Sequence, residues 1–127
     1  MKLLLDTHVL LWWITDNGSL SAKARSSIED ASQVFVSSVT AWEIATKQRL
    51  GKLPGADRYV ASLEEIVKDE GMDFVPVTFI HGLRAGRYVS DHRDPFDRML
   101  AAQAETEGLT LVTRDSLFCQ FPVQTLW

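Results

Sequence analysis

Short apolar runs separated by helix-length segments are the feature that most narrows the folds open to this chain. Leu3-Leu4-Leu5 stops at Asp6, Val34-Phe35-Val36 stops at Ser37-Ser38, and Leu109-Thr110-Leu111-Val112-Thr113 stops at Arg114-Asp115. Runs this short and continuous predict strands covered on both faces rather than strands with one wet face. Phe74-Val75-Pro76-Val77 reads as a third strand at an edge or strand end, because Pro76 has no ladder donor. Val123 to Trp127 is a weak fifth strand.

The segments between them read as helices. One follows Asp6 to about Thr15, and Asp16-Asn17-Gly18 turns the chain. Ser21 to Asp30 has helical composition. A helix from Val39 to about Leu50 is expected behind a Ser38 cap, with Gly51 closing it. Tyr59, Val60, Leu63, Ile66 and Val67 repeat at the period of one buried face and predict a helix from Asp57 to Glu70. Thr78 to about Tyr88 is the next. Pro95 suits the first position of a helix that runs to Glu107 before Gly108. Strands alternating with helices predict an α/β fold, a three-layer α/β/α sandwich around a central, mostly parallel sheet. With 127 residues, one domain spanning 1–127 is expected.

Composition limits the function. Thirteen Lys and Arg against 17 Asp and Glu give a net charge of −4. Bulk positive charge therefore cannot hold this chain to nucleic acid; a local patch, a metal or a basic partner would have to. Cys119 is the single cysteine, so neither an intrachain disulfide nor a cysteine zinc site is available. Asp6 and His8 interrupt the first apolar run too early for a signal peptide, and the Val9–Ile14 run is too short to span a membrane. A cytoplasmic location is expected.

In an open parallel sheet the functional crevice lies beyond the carboxyl ends of the strands. There the sequence delivers Asp6, Ser37, Ser38, Thr113 and Asp115. The flanking helices add Glu43, Asp94 and Asp97. Asp6, Glu43, Asp97 and Asp115 can thus converge. Four carboxylates at close quarters cannot all stay ionised uncompensated. A hard divalent cation, Mg²⁺ or Mn²⁺, removes that conflict and leaves coordination positions for water and phosphate. It also reconciles an acidic protein with a polyanionic substrate.

The segments that carry these acids resemble a known family. Leu3–His8, Val36–Ile44, His92–Ala104 and Leu111–Asp115 look like the four ordered motifs of PIN-domain ribonucleases, in particular the VapC type of bacterial toxin–antitoxin systems. The resemblance covers nearly the whole chain. It implies a PIN-like fold and an Mg²⁺- or Mn²⁺-dependent endoribonuclease that hydrolyses RNA by metal-activated water. It also implies a cognate antitoxin and a homodimer, or a dimer of toxin–antitoxin heterodimers. Asp6, Glu43, Asp97 and Asp115 match the acidic quartet, and Thr113 matches the hydroxyl position before the last acid. Two other readings stand beside it. One is an aspartyl phosphoacceptor module using Mg²⁺, although no lysine follows a late strand. The other is a catalytically silent interaction domain.

Each residue also has a purely structural reading. Asp6 and Asp94 suit helix N-caps, and for Asp94 the cap explains the residue. Glu43 and Lys47 stand at the spacing of a helical ion pair, with Lys47 a phosphate contact as the alternative. Asp97 suits a first helical turn, Asp115 a turn, and Ser38 a cap. His8, His81 and His92 are not spaced as metal ligands. Arg84, Arg87, Arg93 and Arg98 read as a solvated face before they read as an RNA contact, and Trp12 and Trp13 as core or interface.

Overall fold

The computed structural model describes residues 1–127. The chain forms five parallel strands and six α-helices: β1 (Lys2–Leu5), α1 (Thr7–Ile14), α2 (Ala22–Asp30), β2 (Gln33–Ser37), α3 (Ser38–Arg49), α4 (Leu63–Asp69), β3 (Asp73–Val75), α5 (Phe79–Arg87), α6 (Pro95–Glu107), β4 (Thr110–Val112) and β5 (Thr125–Leu126). The strand order is β3-β2-β1-β4-β5, with β1 at the centre. Leu3 pairs with Val34 on one side and with Thr110 on the other. All four strand pairs are parallel.

Strand β1 shows why the sheet is covered on both faces. Its side chains alternate, so Leu3 and Leu5 enter one core while Leu4 enters the other. The first core gathers Val9 and Leu10 of α1, Ala24 and Ile28 of α2, Ile44 of α3 and Val67 of α4. The second gathers Leu100, Ala101 and Ala104 of α6, with Phe118 and Phe121. These are the three layers expected. Leu3, Leu4 and Leu5 are fully buried, and each contributes about 1.5–3 kcal/mol by leaving water.

Two local expectations are corrected. The cap of α3 is Ser37, whose side chain accepts from Val39 N–H, and Ser38 is already helical. The helix expected over Asp57–Glu70 begins only at Leu63. Two 3-10 turns, Ala56–Arg58 and Val60–Ser62, precede it. Gly55, in the left-handed region at φ 81°, starts that turn structure, and no capping side chain is present to nucleate an α-helix there. Elsewhere the caps follow the sequence. Thr78 and His81 form a capping box on α5, Asp94 accepts from Phe96 and Asp97 N–H, and Gly108 ends α6 in the left-handed region. Strand β3 is an edge strand, as Pro76 suggested.

Candidate active site

The chain order reverses between β1 and β4. Strands β1, β2 and β3 step one way across the sheet, and β4 returns to the free side of β1. A parallel sheet opens a crevice at such a reversal, at the carboxyl ends of its strands. Asp6 follows β1 and Thr113 follows β4, and they meet there. Thr113 Oγ1–H donates to Asp6 Oδ2 at 2.7 Å, and Asp6 N–H continues the ladder to Val112 O at 3.0 Å. Asp6 is also the N-cap of α1, its Oδ1 accepting from Thr7 N–H at 2.7 Å. The capping reading and the site reading hold together, because the cap uses one carboxylate oxygen and Thr113 the other.

A pocket of about 360 Å³ opens at this point, and Asp6, Glu43, Asp97 and Asp115 all line it. Asp94, Lys47, His8, Val9, Trp12 and Arg114 complete its wall. Thr113 does not line the pocket; it lies beneath, holding Asp6 through one oxygen and Asp115 N–H through the same hydroxyl at 3.0 Å. Asp6, Glu43, Asp97 and Thr113 are buried, whereas Asp115 is exposed and caps the 3-10 turn Ser116–Gln120.

Each buried carboxylate has a dedicated partner. Glu43 projects from α3, where Oε1 accepts from the Thr7 hydroxyl at 2.6 Å and Oε2 pairs with Lys47 one turn on. The ion pair forms, but Glu43 is only 3% exposed, unlike an ordinary helical surface pair. Asp97 Oδ2 pairs with His92 Nε2 at 2.8 Å. His92 and Thr7 are the two supporting residues that sequence reasoning did not single out. The signal for Thr7 was its place beside Asp6. His92 lies five positions before Asp97, and only the fold of the intervening loop brings its ring back.

That loop is fixed by Arg98. Its guanidinium donates to the carbonyls of Ala85, Tyr88, Ser90 and His92, so it is spent on the backbone. Arg84 pairs with Glu105 at 3.1 Å and donates to Thr106 at 3.0 Å. Neither arginine is available to RNA at this pocket, and Arg87 and Arg93 do not line it.

The cluster is electrostatically frustrated. Burial is the main force pushing the Asp97 carboxyl up to about 7; Asp94, Asp6 and Glu43 add to it, and the His92 hydrogen bond opposes it. Burial also raises Asp6, with Glu43 adding, against the hydrogen bonds from Thr113 and Thr7. For Lys47 burial works downward, but the hydrogen bond and charge of Glu43, with Asp94 and Asp97, outweigh it and raise the ammonium above its ordinary value. All-oxygen donors under mutual repulsion are the set that a hard cation suits. No three acidic or histidine side chains close on one point as a complete ligand cage. The set fits an ion that keeps part of its water shell, as Mg²⁺ does.

A second cleft, of about 610 Å³, is apolar. Leu10, Val36, Ile44, Val60, Val67 and Phe74 are among the residues that line it. No helix of the chain is long and apolar enough to cross a membrane.

Known proteins share this fold. The PIN domain family model matches residues 3–123. Ribonuclease VapC22 of Mycobacterium tuberculosis is 30% identical over 113 residues, covering 88% of this chain and 85% of that protein. Among solved structures, the DNA-bound VapBC of Salmonella typhimurium superposes with a TM-score of 0.74 at 20% identity, covering 99% of this chain and 97% of that one. VapBC2 of Rickettsia felis, bound to a DNA fragment from its promoter, gives 0.71 at 14% identity, covering 99% and 98%. The structural likenesses agree with the parallel-sheet fold, and by the family model over residues 3–123 and the 30% identical relative the chain belongs to the PIN domain family.

Proposed function

We propose that this protein is a divalent-metal-dependent endoribonuclease, the toxin of a toxin–antitoxin pair. The observation that carries the reading is the single pocket shared by Asp6, Glu43, Asp97 and Asp115 at the sheet reversal. The 30% identity to a protein named as a ribonuclease supports it.

Asp6, Asp97 and Asp115, with Glu43, would hold Mg²⁺ or Mn²⁺ directly or through water. Bound there, such an ion would supply positive charge to polarise a phosphodiester and to acidify water. The chain's own residues prepare that site. Thr113 and Thr7 fix both oxygens of Asp6 while leaving lone pairs free, since each carboxylate oxygen accepts more than one bond. Thr7 and Lys47 fix Glu43, and His92 fixes Asp97. Attack by water on phosphorus, in line with the bond to the 3′-oxygen, would break that bond and leave a 5′-phosphate and a 3′-hydroxyl, with no side chain needed as a covalent nucleophile.

A cognate antitoxin is the expected partner, and a segment of it suits the apolar cleft beside α3 and α4 by helix-in-groove docking. The exposed Phe79, Ile80 and Leu83 of α5 suit a second copy in a homodimer. The cytoplasm, where RNA substrates and reduced thiols are found, is its place.

The test is incubation of antitoxin-free protein with total RNA, with and without Mg²⁺ or Mn²⁺, followed by mapping of the cut ends. Metal-dependent cleavage with 5′-phosphate ends is expected. Asp6→Asn and Asp97→Asn should each lower it by about 100-fold or more with the fold intact, beyond what loss of a supporting residue costs. Normal cleavage by either variant, or phosphorylation of Asp6 by a small phosphodonor without RNA cleavage, would overturn the reading.

A further inference from the structure

One stretch of the site wall is not acidic. His8, Trp12 and Arg114 line the same pocket as the carboxylates. The Trp12 ring lies 5.8 Å from that of His8, inclined at 41°, and 5.8 Å from that of Trp127, inclined at 57°. The Arg114 guanidinium rests over the face of Trp12, 4.6 Å from its centre. Arg114 is exposed and forms no ion pair, although Asp115 follows it directly. Of the two arginine or lysine side chains lining the pocket, Lys47 is bound to Glu43, which leaves Arg114 as the one with free donors.

The neighbouring tryptophan shows what a structural ring looks like here. Trp13 donates its Nε1–H to Glu70 at 3.1 Å and carries Arg25 at 5.8 Å from its ring. Trp12 is half-buried, its indole N–H has no protein partner, and its ring belongs to the pocket wall. Both tryptophans pack against the first core, as the sequence suggests, but Trp12 in addition lines the pocket.

We infer that Trp12, with His8 beside it, is a stacking platform for an unpaired nucleobase, and that Arg114 takes the adjoining phosphate. Aromatic rings beside a free guanidinium are the means by which proteins hold single-stranded nucleic acid without reading its sequence. A base within a duplex has no free face to offer. The site thus anchors one unpaired nucleotide at Trp12 and Arg114, beside the phosphate presented to the acids. This deepens, and rests on, the ribonuclease reading.

The experiment measures binding by fluorescence anisotropy of labelled, short single-stranded RNAs that differ by one abasic position moved along the strand. Ca²⁺ replaces Mg²⁺, since it neutralises carboxylates with looser geometry. For the unmodified protein, one abasic position should weaken binding about five-fold or more, as expected for loss of a stacked base. In Trp12→Ala the same position should cost nothing, and Trp12→Phe should restore the dependence. Arg114→Ala, on an exposed loop, should weaken every RNA alike and reduce the salt slope by about one. Should Trp12→Ala fail to fold, Trp12→Leu and Arg114→Ala decide. Equal abasic penalties with and without the ring, equal affinity for duplex RNA, or no RNA binding at all would overturn the platform. Binding with this pattern but no cleavage in Mg²⁺ would keep the platform and overturn the ribonuclease reading. Cleavage without the pattern would do the reverse.

Discussion

His92 Nε2 stands 2.8 Å from Asp97 Oδ2, and its hydrogen bond favours the ionised form of a carboxyl that burial, with Asp94, Asp6 and Glu43, pushes up to about 7. Asp97 therefore binds a proton in the folded protein at pH values where the unfolded chain has released it. The stabilisation from that proton is complete below about pH 4, the ordinary range of an aspartate, and is lost as pH rises through about 7. The melting temperature of metal-free protein should fall over that interval. Asp97→Asn should flatten the fall, and Mg²⁺ should raise the melting temperature more at pH 8 than at pH 5. Thermal melts with chelator and with Mg²⁺ at about those pH values test this. A flat profile for the metal-free protein would contradict it.

Thr113→Val keeps the shape of the side chain and removes the donor to Asp6 Oδ2. Burial then acts on Asp6 with less opposition, so its carboxyl should hold its proton to higher pH. Supporting donors of this kind are worth about 10–100-fold in metal affinity or activity. The pH–rate profile should shift upward, and more metal should be needed for half-maximal rate. Thr113→Ser should restore both. Kinetics as a function of pH and of Mg²⁺ concentration read the effect.

Lys47→Met leaves the Glu43 carboxylate buried with only the Thr7 hydroxyl on it. Breaking a buried pair costs about 3–5 kcal/mol, and the partial exposure of Lys47 reduces that toward the lower figure. The loss should shrink when Mg²⁺ is present or when Glu43→Gln is combined with it. Urea unfolding of the single and double variants measures the coupling.

Arg98→Ala removes a guanidinium that touches neither the pocket nor any acid. What it releases is the backbone of Tyr88, Ser90 and His92, so the His92 ring should lose its fixed approach to Asp97. Cleavage should drop by about ten-fold or more while hydrogen exchange rises in residues 88–92 and not in β1. Arg98→Lys should not rescue, because one ammonium cannot span four carbonyls.

Much of this site was legible because its residues sit at punctuation marks in the sequence. Asp6 ends an apolar run, Thr113 and Asp115 end another, and Pro95 fixes the start of α6 and hence the place of Asp97. The supporting contacts were not legible. Thr7 meets Glu43 across 36 positions and Arg98 turns back on the preceding loop, and neither leaves a periodic trace. The helix expected from Asp57 failed for a related reason. Its apolar spacing is equally served by two 3-10 turns that bury the same face, and Gly55 with no capping side chain decides between them. Of the arginines that read as a solvated face, Arg84 stays partly exposed in an ion pair with Glu105, whereas Arg98 turns inward onto backbone carbonyls.

The middle strand of the sheet, β1, is made well before its neighbour β4. Asp6 and Thr113 are separated by 107 positions, so a nascent chain carries an unfinished pocket until β4 has been translated. A product truncated ahead of β4 would have Asp6 but neither the Val112 carbonyl nor the Thr113 hydroxyl that fix it at the sheet.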